Sequence, residues 1–550
     1  MGYQFPHDRR HQRAVANIAA KVRTFYDNKT AFRIYHGSTN STRKSSRNHE
    51  NIIDISHLNH VLGVKISKGS KIAFVEPNVP MDQLVGETLK MGLIPPVVME
   101  FPGITAGGGF AGTSGESSSF RHGLFDRTVL AIEVVLGDGD VVTASPDDPL
   151  TAEMFYAAAA SFGTLGVVTL LALELVDAKP FVELTYERIT GIDDAVLRIN
   201  ELSGEDNLDY LDGILFAQDL GVLCCGKLVD VVPQHGKLRT FSRPWDNWFY
   251  INAERLLEHE EQSVWTEYVP IQDYLFRYER GAFWISKYTY KYFAVPLNRF
   301  TRWLLDTYTH TRIMYSALQH SGLSSTYIIQ DVSVPLESAS KLVSYLDANF
   351  KNYPLWLCPI RLRGKSANSA YGLLADPPSL ASDEKRAMVE TTTQRPEMML
   401  NFGVWGPGPP KYEDAVAWNR AFEAEIHALG GQKWLYAQTY YTEQEFWSSY
   451  GDRRRYDMIR EKYHATSLPS IYDKVKTCGP GEAEITCGRS WWDQFLAIFW
   501  SIWPLAGLYG WLLCMINAEY LLPRRLSFVA IPQDTHQEER CGKEKTKIID

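Results

Sequence analysis

The sequence predicts an α+β fold. Strand-length apolar runs alternate with helix-length amphipathic segments through the first 180 residues, and glycine-rich turns punctuate them. No G-x-G-x-x-G motif opens the first strand–helix unit, which disfavours an ordinary parallel dinucleotide-binding domain. Beyond Lys179 strands and helices still mix, but aromatic residues crowd in. Two domains are expected, over 1–180 and 181–477, followed by an extension over 478–550.

Val15, Ile18, Ala19, Val22, Phe25 and Tyr26 recur at helical spacing and predict a helix over 12–26. A short strand, Phe32–Tyr35, runs into Gly37 and a string of small polar residues. Such a loop can present amides and hydroxyls to phosphate, or can be a solvated basic loop. Ile52–Ile55 and Lys71–Glu76 read as strands, the second stopped by Pro77, and Met81–Met91 as an amphipathic helix. Pro95-Pro96 force extended chain, and Val97–Glu100 is strand-like. Val129–Leu136 is a strand that turns at Asp138-Gly139. Asp148 and Pro149 mark the start of a helix running to Ala160, with Gly163 beyond its end and a long apolar strand after it. In the second half, Phe181–Arg188, Ile214–Phe216 and Gly221–Val229 read as strands; Asp193–Leu202, Glu337–Phe350 and Tyr412–Leu429 read as helices. Tyr268–Phe293 carries ten aromatic residues, which is core material and also suits the roof of a pocket for a large apolar molecule.

Composition narrows the function classes. Hydrophobic residues at 45% and charged residues at 22% describe an ordered globular protein, and a net charge of −9 argues against nucleic acid as the main partner. Seven cysteines are odd in number and scattered, so neither a disulfide framework nor a metal site is expected. No secretory signal opens the chain, and Pro6 stands where a myristoylation motif wants Ser or Thr.

The most informative stretch is Thr105–Ser117, with five glycines in thirteen residues. Backbone so bare can bend through positive φ and offer N–H groups to an anionic oxygen, which makes a ligand cradle the stronger reading than a surface loop. Its candidates are Thr105, Gly107, Gly108, Gly112, Thr113, Gly115, Glu116 and Ser117.

Ordered, uncommon clusters extend the pattern along the chain. They are G-T-S-G-E-S-S-S at Gly112–Ser119, G-L-F at Gly123–Phe125, G-T-L-G at Gly163–Gly166, Asp212-Gly213 and A-F-W at Ala282–Trp284. Further on come Asp331 with Val334-Pro335, Y-P-L-W-L-C-P at Tyr353–Pro359, L-Y-A and E-F-W within Leu435–Trp447, and I-Y-D-K at Ile471–Lys474. From about residue 12 to 476 the chain resembles the PCMH-type (vanillyl-alcohol-oxidase-like) FAD-binding proteins, and within them the delta(24)-sterol reductase (Diminuto-like) family. The resemblance implies FAD held between two α+β subdomains of the first domain and an α+β substrate or cap domain over the isoalloxazine. It further implies NADPH as electron donor and a sterol or related triterpenoid as substrate, its side-chain double bond taking hydride from flavin N5. FAD contacts are implied along Thr105–Ser117, from Gly37, Ser38, Thr39 and Asn40 on the other side, and from Gly163 and Val168 further out. Ala106, Gly109, Phe110, Ala111 and Ser114 depart from the family's usual choices but leave the glycine framework intact. His36 precedes Gly37 and no histidine follows it, so dissociable FAD is expected.

Reducing an unactivated alkene also needs a proton donor. Glu116, His122, Tyr436 and Tyr440 are the candidates, although Glu116 could cap the following turn and the tyrosines could hydrogen-bond in the core. Gln494–Ala518 is free of charge for 25 residues, enough to cross ~30 Å of hydrocarbon if helical. Trp491, Trp492, Tyr520, Arg524 and Arg525 flank it as interfacial anchors would, while Pro504 favours a monotopic helix as the alternative. The expectation is a single-pass membrane helix over 494–518 in the endoplasmic reticulum, with the catalytic domain cytosolic, because a glycan on the Asn40 sequon would obstruct the phosphate loop. Two further readings compete: a PCMH-type oxidase of a polar alcohol or sugar, and a flavin-binding membrane scaffold without turnover.

Overall fold

A computed structural model describes residues 5–37, 51–67, 69–259, 261–325, 327–362, 397–477 and 502–516. Ser38, Thr39 and Asn40 lie outside the described residues, as does much of 494–518.

The first helix, Arg9–Asp27, starts earlier than its apolar spacing predicts because Asp8 caps it, accepting from the His11 amide at 2.7 Å. Arg33–Tyr35 then pairs in parallel with Ile52–Asp54. Five antiparallel strands form the first sheet, in the order Val61–Ser67, Ser70–Val75, Val167–Glu174, Val129–Val135, Val141–Ala144. Val167–Glu174 is central and buried along most of its length, which accounts for its unbroken apolar run.

Eight antiparallel strands form the second sheet. Their order is Val264–Pro270, Phe181–Ile189, Leu220–Val229, Tyr210–Ala217, Leu355–Arg361, Met398–Pro407, Tyr327–Pro335 and Gln432–Lys433. The period of two sorts their side chains. Leu211, Leu215, Leu355, Leu357, Leu400, Phe402 and Val404 pack under the helices Ile192–Leu202, Ala339–Asn349 and Tyr412–Ala428. Ile214, Trp356, Cys358, Met399 and Trp405 face the other way, into one core shared with the first sheet. Asp212, Asp331 and Asn401 fall in the register of that second set, so the strands deliver polar groups to the contact between the two sheets.

Several expectations need correcting. Val97–Glu100 is buried but irregular, because Pro95-Pro96 end the short strand Leu93–Ile94. The helix expected through Ala160 occupies only Ala152–Ala158: Asp148 is spent on a turn, accepting from the Leu150 amide and the Thr151 hydroxyl, and Ala160, Phe162 and Gly163 all take positive φ. Strands Val61–Ser67, Tyr327–Pro335, Leu355–Arg361 and Met398–Pro407 were not expected; the last three lie inside a sheet covered on both faces and lack the alternation that betrays a half-buried strand.

The chain does not stay in the second sheet's territory. After Glu443 it returns to the first unit, where the Tyr456 hydroxyl donates to Thr164 Oγ1 at 2.8 Å and the Phe32 amide donates to the Ser467 carbonyl at 3.0 Å. Of the charge-free stretch 494–518, the described part contains the helix Leu505–Ile516, packed against the helix Thr311–Ser321. Among the described residues no helix is long and apolar enough to cross a membrane.

Candidate active site

The glycine-rich stretch is a short helix, Ala106–Gly112, rather than a bare loop. Thr105 caps it, its hydroxyl accepting from the Gly108 amide at 3.2 Å. The Ala106 amide donates to the Val79 carbonyl and the Gly107 amide to the Pro77 carbonyl at 2.8 Å, so the first donors are engaged inside the protein. Gly107, Gly109 and Gly112 carry G-x-G-x-x-G spacing, but packing alone explains two of them. A Cβ on Gly107 would lie 2.6 Å from Pro77 Cβ, and one on Gly109 2.5 Å from Met99 Cε. Gly108 and Gly112 look elsewhere: a Cβ there would meet only Thr105 Oγ1 at 3.1 Å and the Phe162 ring at 3.9 Å. That open side is the one a ligand can approach.

The other cradle residues converge on it. Thr113 ends the helix in the left-handed region, and the Trp434 indole, from beyond the second sheet, donates to its carbonyl at 2.9 Å. Gly163 turns with φ 72°, next to Ile34 of the strand that leads to Gly37, itself at φ 73°. Val168 follows in the central strand of the first sheet. Gly115 is pressed against Leu124, and the Ser117 carbonyl accepts from the Leu211 amide at 2.7 Å, tying the stretch to the second sheet.

Glu116 does not cap the turn with its side chain. Its amide donates to Ser119 Oγ at 2.8 Å, while its carboxylate reaches into the contact between the sheets. There Arg277, fully buried, lies 3.4 Å from Glu116 Oε1 and 2.9 Å from Asp212 Oδ2. Asp212 Oδ2 also accepts from the Tyr278 hydroxyl at 2.7 Å and the Trp356 indole at 2.9 Å. Beside this group Asp331 accepts from the Tyr436 hydroxyl at 2.5 Å and from Asn401 Nδ2 at 3.4 Å. Glu100 is buried within electrostatic reach of Glu116, Asp331 and Arg277.

Glu116, Asp212 and Glu100 thus lie around one guanidinium away from water with Asp331 beside them, and burial disfavours ionisation of Glu116, Glu100 and Asp331. Burial lifts Glu116 to about 7 against the pull of Arg277, and lifts Asp331 to about 6 against its bond from Tyr436. Glu100 is raised well above the carboxylate range by burial and by the charge of Glu116. Glu116 Oε2, Asp212 Oδ1, Arg277 Nε and Asn401 Oδ1 are buried without a partner among the described residues. Of the four proton-donor candidates, Glu116 and Tyr436 meet in this cluster. His122 has Arg121 and Asp209 as its charged neighbours, and burial lowers its pKa; Tyr440 sits by Tyr412 and Glu423, and burial raises its pKa. Arg277, Asp212, Asp331 and Glu100 escaped the search for an acid; the signal was there, as lone charges inside apolar or aromatic runs.

Aromatic rings wall the cluster off. Phe283 stacks on Tyr278 at 4.1 Å between ring centres and meets Trp405 at 5.1 Å and Phe101 at 5.5 Å. Gly281, Ala282 and Phe283 all take positive φ, so Phe283 is held in place at a cost in backbone strain. Trp405 and Tyr315 also line an apolar cavity of about 60 Å³, together with Met314, Gly507 and Trp511.

The chain matches the FAD binding domain family model over residues 12–145. It is 27% identical over 435 residues to the delta(24)-sterol reductase of Macaca fascicularis, covering 78% of each chain, and 28% identical over 475 residues to that of Pisum sativum, covering 82% of this chain and 80% of the other. A delta(24)-sterol reductase homolog of Caenorhabditis elegans is 25% identical over 422 residues, covering 74% of this chain and 75% of that one. With a PCMH-type α+β fold, a glycine helix and likeness over most of its length to delta(24)-sterol reductases, the chain is an FAD-dependent oxidoreductase acting on carbon–carbon double bonds.

Proposed function

We propose that this enzyme is an NADPH-consuming reductase of the delta(24) side-chain double bond of a sterol or related triterpenoid. One observation carries the reading: buried carboxyls with raised pKa stand between a glycine helix and an aromatic-walled apolar cavity. An unactivated alkene asks for that arrangement, since it must be protonated in a dry site.

Residues 1–180 are read as the FAD domain and 181–477 as the cap, the first sheet closing at Glu174 and the second opening at Phe181, with 443–475 running back from the cap onto the FAD domain. The open side of Gly108 and Gly112, with Thr113, Gly115, Ser117, Gly163 and Gly37, would hold FAD, and the unpartnered Glu116 Oε2 and Arg277 Nε suit a polar ring system beside them. When bound, FAD supplies the hydride, from N5. The chain's own residues do the rest. Arg277 orients Asp212 and Glu116, and Tyr436 fixes the Asp331 carboxyl that stores the proton. Phe283, Trp405 and Tyr315 exclude water. Attachment to the endoplasmic reticulum membrane through 494–518, with the catalytic domain cytosolic, completes the proposal and is supported by the charge-free stretch.

The test is an anaerobic titration of the detergent-purified protein. Bleaching of the flavin by NADPH and return of its colour on adding a Δ24 sterol, with the saturated side chain found by mass spectrometry, is the expected result. Reduction by a sugar alcohol instead, or a flavin inert to every donor, overturns it.

A further inference from the structure

The helix Leu505–Ile516 has two unlike faces. Inward, Gly507 fits against Tyr292 and Phe293, Gly510 against the Ala317 carbonyl, and Trp511 meets Tyr308 edge-on at 5.3 Å. This inner face is part of the wall of the apolar cavity, together with Trp405 and Tyr315. Outward, Leu508, Leu512 and Ile516 are exposed, as is Trp503 just before the helix. A second exposed apolar run, Phe300, Trp303 and Leu304, lies on the helix Arg299–Leu304, and both are tied to the same helix, Ile285–Tyr292. The Trp503 indole donates there to the Tyr292 carbonyl at 2.6 Å, and the Tyr290 hydroxyl to the Thr301 carbonyl at 3.1 Å.

Resting on the sterol-reductase reading, we infer that this double face is the surface by which the enzyme lies on a lipid bilayer, so that one helix is both the cavity wall and the membrane contact. Charge selects lipid over a second copy of the chain. Residues 297–304 and 502–516 contain no Asp or Glu, in a chain with 65 acidic residues and a net charge of −9. Exposed Lys291 and Arg299 border the face and suit anionic headgroups, and the indoles of Trp303 and Trp503 suit the interfacial layer. The cavity supports the same occupant. At about 60 Å³ it is far smaller than a polycyclic lipid, so its wall must shift to admit one. A wall resting on lipid shifts without exposing its apolar side to water.

The experiment is flotation of the full-length holoenzyme with vesicles of phosphatidylcholine, with and without phosphatidylserine. The pairs Leu508→Glu with Leu512→Glu, and Phe300→Ser with Trp303→Ser, should each lower the vesicle-bound fraction about tenfold or more. Flavin absorbance, melting temperature and turnover of sterol in detergent micelles should stay unchanged. Variants that float like the parent protein overturn the inference, as does a parent dimer that either pair dissolves without altering flotation. A protein that floats through this face yet reduces no sterol keeps the surface and removes the sterol reading.

Discussion

The glycine helix and the carboxyl cluster sit side by side but are built in opposite ways. Thr105–Ser117 is one continuous run whose work is done by backbone and by missing side chains. The cluster is assembled from Glu100, Glu116, Asp212, Arg277, Asp331 and Tyr436, residues spread over more than half the chain and joined through side chains. A local device is robust to what surrounds it, whereas a non-local one fails when any contributor is lost, and it can hold charge states that water would not allow.

Five substitutions and a change of pH press on that difference. The largest effect is expected from Asp331→Asn, which removes the stored proton. Sterol-dependent reoxidation of the reduced flavin should slow by roughly 10²–10⁴-fold, with bleaching by NADPH nearly unchanged, as stopped-flow absorbance would record. Loss of both half-reactions together would move Asp331 from chemistry to architecture. Arg277→Met strands Asp212 and Glu116 without their cation and should cost about 3–5 kcal/mol of stability, read as a lowered denaturation midpoint.

Next come the glycines, which should split into two kinds. Gly107→Ala drives a methyl against Pro77 and should destabilise by about 1–3 kcal/mol while protein folded in the cold keeps its flavin. Gly108→Val points into the open side and should leave the melt within about 1 kcal/mol yet lose most FAD, measured as the ratio of flavin to protein absorbance. If both lose flavin equally, the division between packing glycines and facing glycines is wrong.

The smallest effect is thermal. Glu116 is raised from 4.5 to about 7 and Asp331 from 3.8 to about 6. For a carboxyl raised on folding, the stabilisation is fully present below the unfolded value and is lost as pH climbs through the folded one. Melting temperature should therefore fall between about pH 4.5 and 7.5, and Glu116→Gln should flatten the upper part of that slope.

The same contrast explains what the sequence made legible. The helices Arg9–Asp27 and Met81–Leu89 and the hairpin at Asp138-Gly139 are written in nearest neighbours and could be read directly, whereas the glycine stretch reads as a loop and folds as a short helix. Even there, glycine identity did not separate Gly107 from Gly108, because the distinction depends on Pro77, thirty residues upstream in sequence, whose Cβ lies 2.6 Å from where a Cβ on Gly107 would sit. The inner strands of the second sheet gave no alternation, since both faces are covered. Asp212 and Asp331 are charges in apolar company, but only the register of the strands puts both on the inner face of the sheet, where Arg277 meets Asp212.

The return of residues 443–475 to the first unit has a consequence for biogenesis. Tyr456 and Ser467 complete walls around Thr164 and Phe32, and Trp434 closes on Thr113. On the ribosome these partners emerge about three hundred to more than four hundred residues after the segments they cover. The cofactor cradle is therefore finished only when synthesis is nearly over, which makes loading an end-of-line event and leaves any chain truncated before residue 443 with an open seam.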